Sequence, residues 1–267
     1  MFSFFTDLMD PANVFLRQAL IAGLLASVAC GVVGAFVVVR RISYIAGAIS
    51  HSVLAGIGLS LYLEAARGFG YLPPLLGALL AGLISAFIIG AVTLRGGERD
   101  DTVIGALWAL GMAVGVLLLH VTPTYTDLTS YLFGNILLIG KTDLILVAVL
   151  DAVVLITCTV FYREFTAISF DAEFANVRGL PQSLLYYGLL ALTAITVVLL
   201  VNLVGIVLML ALITLPAAMA GRFSASLWQM MLGGALLTAV FTTLGLALSY
   251  PLNLPSGPVI ILVTGIL

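Results

Sequence analysis

Charge is scarce in this sequence. Asp, Glu, Lys and Arg together make up only 8 % of its 267 residues, whereas a soluble domain carries about 25 %. That excludes a water-soluble globule, because there is too little polar surface to cover one. It excludes disorder as well, since a disordered chain needs low hydrophobicity and high charge. Histidine and cysteine are equally sparse, at two each. Cys30 and Cys158 both lie in apolar stretches, where packing residues are expected rather than a disulfide or a metal pair. Ten basic residues spread over nearly the whole chain, at a net charge of -2, leave no nucleic-acid footprint. Nothing resembles a cleaved signal peptide: the first apolar run is long and ends, rather than begins, with arginines. HExxH, GxSxG, paired aspartates within a span and the P-loop are all missing, so the chain has no P-loop route to ATP hydrolysis.

What is present is apolar. Hydrophobic residues make up 63 % of the chain, and the mean hydropathy is +1.27. A membrane β-barrel would alternate apolar and polar positions over strands of about 10 residues. Here the apolar runs continue for about 20 residues, the length a spanning helix needs to satisfy its own backbone in lipid. The fold class is therefore an all-α, polytopic bundle of about eight or nine segments. The 27 glycines fit helices that approach closely.

The segments run from about Val14 to Val39, Tyr44 to Leu63, Leu75 to Leu94, Val103 to Val121, Asp143 to Tyr162, Leu184 to Leu203, Gly205 to Ala220 and Leu227 to Tyr250. A last apolar stretch, Val259 to Leu267, is too short to span. It reads as a half-spanning helix or as a chain that stops short. No connection is long enough for a separate soluble domain, so residues 1–267 read as one transmembrane domain. Arg40, Arg41, Arg95, Arg99, Arg163, Arg178 and Arg222 fall in alternate connections, with Arg67 and Lys141 in the others. The positive-inside rule puts the first set in the cytoplasm and the N-terminus outside. The N-terminal stretch with Asp7 and Asp10 is expected along the outer interface.

Polar groups at membrane depth are few: His51, Asp151, Asn202 and some Ser and Thr. Ionisable groups are costly there and are candidates for function. His51 shares a helix face with Gly47, Ala48, Ala55 and Gly58, a small-residue face that should meet another helix or line a narrow path. It reads either as a metal or pathway residue, with Ser50 and Gly47 beside it, or as a histidine hydrogen-bonded to a neighbouring helix. Asp151 either stays protonated and bonds a neighbour or faces a wet cavity. His120, at the outer end of the fourth segment near Asp127, is a further pathway candidate or a plain surface histidine.

The polar island Ser169 to Pro181 predicts a short helix. Ser169 can cap its start, Asp171 and Glu173 suit the positive end of its dipole, and Gly179 and Pro181 stop it. Phe170, Phe174 and Val177 form a stripe at helical spacing. Such a helix rests on the membrane surface or docks a cytoplasmic partner.

Six motifs now stand in a fixed order: Arg40-Arg-Ile-Ser-Tyr44 with Ala48-Ile-Ser-His-Ser52; Asp101-Thr-Val-Ile-Gly105; Tyr131-Leu-Phe-Gly134; Phe170-Asp-Ala-Glu-Phe-Ala175 with Gly179-Leu-Pro181; Val204-Gly-Ile206 with Leu215-Pro-Ala-Ala218 and Arg222; and Leu254-Pro-Ser-Gly-Pro258. From about Leu24 to Leu262 the pattern resembles the ABC-3 family, the permease subunits of bacterial ABC importers for zinc, manganese and iron. The resemblance implies vitamin B12-permease-like packing and a homodimer in the bacterial plasma membrane. It also implies two cytoplasmic ABC ATPase subunits that bind the ATP, and an extracytoplasmic metal-binding protein. It makes the island a coupling helix, with Asp171, Glu173, Phe174, Arg178 and Gly179 facing the ATPase, and it runs the metal path along the dimer axis. The family typically has an Asp four residues before the histidine, where this chain has Gly47.

The expectation is a permease, not itself an enzyme, that binds no cofactor of its own and imports a divalent metal ion: zinc or manganese, with iron third. The alternatives are an ABC permease for another small solute or metal chelate, an ion-driven secondary carrier with Asp151 as its charged midplane residue, and a structural scaffold.

Overall fold

The computed structural model describes residues 2–10, 12–67, 72–95, 100–123, 128–134 and 136–266. In chain order the helices are α1 (Phe2–Met9), α2 (Val14–Val39), α3 (Ser43–Arg67), α4 (Pro74–Leu94), α5 (Asp100–Val121), α6 (Leu128–Phe133), α7 (Lys141–Val160), α8 (Tyr162–Phe170), α9 (Ala172–Val177), α10 (Gln182–Val204), α11 (Ile206–Phe223), α12 (Leu227–Leu252) and α13 (Ser256–Ile266). Among the described residues there is no strand, and eight helices are long and apolar enough to cross a membrane. The all-α reading holds, and all eight predicted segments are present. Of the connections, residues 68–71 and 96–99 with Arg99, and residues 124–127 with Asp127, lie outside the described residues.

The helix ends have local causes. Arg41 adopts a left-handed conformation (φ 58°), uncommon for a residue with a side chain, and separates α2 from α3. Pro74 opens α4, where a missing N–H costs nothing. Asn253, also left-handed, ends α12, and Ser256 opens α13.

The chain divides into two compact units. The first comprises Met1–Val38, Leu132–Val160 and Leu200–Leu267. In it α12 packs against α11 and α13. A Cβ at Gly31 of α2 would come 2.6 Å from the Met231 carbonyl oxygen of α12, so that pair can approach only without one. Phe4 of α1 is buried and meets the ring of Tyr250 edge-on at 6.2 Å. Three of the sequence motifs converge here. Gly134 (φ 61°) lies against the backbone of Val204 and Gly205 (φ 83°), and a Cβ at Gly257 would come 2.5 Å from the Phe133 carbonyl oxygen. Side chains at these glycines would collide with backbone, which cannot move aside as a flexible side chain can.

The second unit comprises Val39–Tyr131 and Phe161–Leu199. Here α3 packs along both α4 and α5. It is the least hydropathic span and the most buried, whereas α5 is the least buried. Burial without strong hydropathy follows from lipid chemistry: apolar side chains suit the lipid, and small or weakly polar ones suit the contact between helices. Gly56 of α3 faces the Gly77 backbone of α4, and Gly58 faces Gly115 of α5. Ser60 and Ser52 donate to carbonyls of their own helix, Gly56 at 3.0 Å and Ala48 at 2.9 Å.

Candidate functional site

His51 stands on α3 two turns in from its start and is only 9 % exposed. Its ring stacks on the indole of Trp108 from α5, with centroids 4.6 Å apart and planes 21° from parallel. Trp108 also covers Gly47, where a Cβ would come 2.5 Å from Cζ3 of the indole. Tyr44, one turn earlier on the same face, lies tilted against Trp108 at 5.4 Å. The small-residue face of α3 thus meets another helix: Trp108 fills the room that Gly47 leaves. His51 Nδ1 is buried and has no hydrogen-bond partner, so the neighbour that holds this histidine is a ring rather than a hydrogen-bonding group. The Ser50 hydroxyl donates to the Gly47 carbonyl at 2.7 Å, and Ser52 reaches the Leu107 carbonyl of α5 at 3.3 Å. Trp108 is the residue the sequence reading passed over. Its signal was available, as one of two tryptophans in the chain and on the span that carries His120, but the pairing of α3 with α5 was not.

Asp151 belongs to the first unit and is 6 % exposed on α7. Both its carboxyl oxygens are buried and no described side chain bonds them; the Ala29 backbone and the Cys30 thiol, both of α2, are the polar groups within reach. His120 is exposed near the end of α5, roughly 18 Å along that helix from Trp108. Asn202, counted from sequence among the polar groups at depth, is exposed near the end of α10. His51 and Gly47 both meet Trp108, with Ser50 bonded to the Gly47 carbonyl; Asp151 belongs to the other unit. Among the described residues, no group of three or more His, Cys, Asp or Glu could hold a metal ion.

The polar island is helical, with one correction. Ser169 does not cap it: Ser169 is buried inside α8, and its hydroxyl has no partner. Asp171 is the cap. Its extended backbone (φ −148°, ψ 94°) ends α8, and its carboxylate accepts from the Phe174 N–H at 2.8 Å to start α9. An Asp at the break can close one helix and open the next, which Ser169, four residues before the Glu173 turn, cannot. Glu173 lies in the first turn of α9. At the other end Gly179 (φ 77°) donates to Asn176 at 2.9 Å and Leu180 to Ala175 at 3.1 Å, the double bond that closes a helix through a left-handed glycine. A Cβ at Gly179 would meet nothing within 4 Å, so only its backbone conformation demands glycine.

This corner is anchored from behind and open in front. The Arg40 guanidinium donates to the Ile168 carbonyl and lies 4.9 Å over the Tyr186 ring. Phe170, Phe174 and Val177 are 67, 51 and 86 % exposed, and Arg178 lies over the Phe174 ring at 4.9 Å. A cleft of about 250 Å³ beside α9 is lined by Arg163, Glu164, Ala167, Phe174, Ala175, Arg178 and Leu180. Exposed apolar rings rimmed by charges of both signs make a surface that a protein partner can cover.

The sequence profile of the ABC 3 transport family matches residues 12–267. The chain belongs to the ABC 3 transport family. It is 43 % identical over 253 residues to an uncharacterized membrane protein of Synechocystis sp., covering 94 % of this chain and 88 % of that one. It is 36 % identical over 267 residues to a probable metal transport system membrane protein of Chlamydia muridarum, covering 100 % and 88 %. It is 33 % identical over 253 residues to the manganese transport system membrane protein MntC of Listeria monocytogenes, covering 95 % and 88 %. Its fold superposes on PsaBC from Streptococcus pneumoniae with a TM-score of 0.86 at 31 % identity, over 98 % of this chain and 92 % of that one. An inward-facing metal-chelate type ABC transporter gives a TM-score of 0.74 at 16 % identity, over 96 % and 87 %, a likeness of fold alone.

Proposed function

We propose that this chain is the membrane permease subunit of an ATP-binding-cassette importer that carries a divalent transition-metal ion into the cytoplasm. Residues 1–267 act as one transmembrane domain in the bacterial plasma membrane, with the N-terminus outside. Two copies pair, two ATPase subunits bind ATP on the cytoplasmic face, and an extracytoplasmic protein delivers the metal. The observation that carries the reading is α9: a six-residue helix capped at both ends, following the α8 that Arg40 holds, with Phe174 and Val177 uncovered. A family of transporters and a chain without a P-loop make an ATPase the partner such a helix serves. Relatives named for metal and manganese transport support the class of cargo. His51 is the residue on the metal path. A single imidazole per chain suits a permease, because a tight site would retain the ion.

Asp151 favours a second reading, an ion-driven carrier, because a buried carboxyl without a described side-chain partner in a span is the feature such carriers use. Uptake into proteoliposomes separates the two. The importer reading expects zinc or manganese to accumulate only with the ATPase subunits and ATP present. Accumulation driven by an ion gradient without ATP contradicts it, and uptake of a metal chelate in place of the free ion changes the cargo.

A further inference from the structure

Trp108 does two things to His51 at once. It stacks on the imidazole, and it occupies the space beside Gly47, one turn away on the same face of α3. A ligating histidine is ordinarily oriented by a hydrogen bond to its second ring nitrogen. Nδ1 of His51 is buried and has no such bond, so the indole is the neighbour that fixes the ring plane. The indole can donate a hydrogen bond but offers no lone pair to a metal. While it sits there, position 47 cannot present a carboxylate. The described carboxylates of α3 and α5 stand far along their helices: Glu64 about 20 Å from His51, and Asp101 about 10 Å from Trp108. Ser50 and Ser52 have their hydroxyl protons committed to helix carbonyls.

We propose that Trp108 is a positioning and specificity residue: by clamping His51 and closing position 47 it leaves the passing cation an imidazole without a carboxylate, and so favours zinc over manganese. The proposal rests on His51 lying on the metal path, as argued above. Its chemistry is ligand preference. Imidazole suits zinc and the other late divalent metals, whereas manganese takes carboxylate, carbonyl and water oxygens and binds nitrogen sites most weakly of the series.

The test uses the permease–ATPase complex in proteoliposomes, with zinc and manganese in competition. The native complex should take up zinc in preference to manganese. Trp108→Ala should lower that ratio by about tenfold or more, the scale of losing a residue that orients a ligand, with the loss in the apparent KM for zinc. Trp108→Phe, which can still stack, should restore most of it. Trp108→Ala combined with Gly47→Asp should turn the preference toward manganese. A readout independent of transport uses Trp228→Phe, which leaves Trp108 as the chain's only tryptophan. Zinc should change the emission of that indole, and His51→Ala should abolish the change. This holds the proposal to account even if Trp108→Ala is not produced. Native preference for manganese, an unchanged ratio in Trp108→Ala, or indole emission indifferent to zinc overturns the proposal while loss of uptake in His51→Ala leaves the path intact. Full uptake by His51→Ala overturns the path itself.

Discussion

In the second unit an indole lies flat on His51 and fills the room beside Gly47. In the first, Asp151 has the Ala29 backbone and the Cys30 thiol within reach and no described side-chain partner for either carboxyl oxygen. Both groups are buried in spanning helices, and both are ionisable residues at depth. Their surroundings separate them. Around His51 the sequence has glycine at position 47 and an aromatic ring supplied from α5, and the imidazole lies flat against that ring. No side chain hydrogen-bonds Asp151 into place. The proposed metal path requires a ligand in a fixed position, and of these two groups the histidine is the one held by a described side chain.

The comparison predicts a ranking of effects. His51→Ala should show the largest: uptake reduced at least about tenfold, as when metal sites lose even a supporting neighbour, with normal membrane insertion. Uptake measured beside the yield of inserted protein checks both halves. Gly179→Val comes next. A β-branched residue at φ 77° should cost roughly 1–3 kcal/mol and re-aim the chain leaving α9. Glu173→Arg should weaken the same surface by reversing its charge. Both variants should insert normally but co-purify with less ATPase, and unchanged co-purification with unchanged uptake would make α9 an interfacial rest.

Gly47→Asp should act through stability. The new side chain would meet the six-membered ring of Trp108 and bury a charge without a partner, so complex yield should fall by an amount set by a few kcal/mol. Thermal unfolding of the detergent-purified complex measures this. A well-folded variant with tighter zinc binding would mean that Trp108 swings away and the position is open. Asp151→Asn should show the smallest effect, with uptake within about twofold and little change in thermal stability, as for most conservative replacements. A large loss of uptake there would put Asp151 beside His51 as a working group and revive the ion-driven reading.

The eight spans were legible because lipid leaves one solution for a long apolar run: a helix that bonds its own backbone. The end of α9 was legible too, since Gly179 followed by Pro181 has a narrow range of conformations. The start of α9 was not. Ser169 and Asp171 are both good caps, and only the buried packing of α8 decides that Ser169 stays inside that helix. His51 was legible as an ionisable residue at depth. Trp108 was not, because its role depends on α3 and α5 lying side by side with a particular register, and 57 positions of sequence separate it from His51 without a local pattern to link them. Gly47 alone reads as a missing carboxylate; with the indole in place it reads as the seat of an aromatic ring.

The most direct test of the central claim is ATP hydrolysis by the complete complex. The chain, its ATPase subunits and the extracytoplasmic binding protein are reconstituted in lipid, and hydrolysis is followed as metal is added. The account predicts that zinc-loaded binding protein stimulates hydrolysis, that Gly179→Val loses the stimulation at the coupling step, and that His51→Ala loses metal uptake. Hydrolysis indifferent to every divalent metal offered, in a complex that is assembled and active, would contradict it.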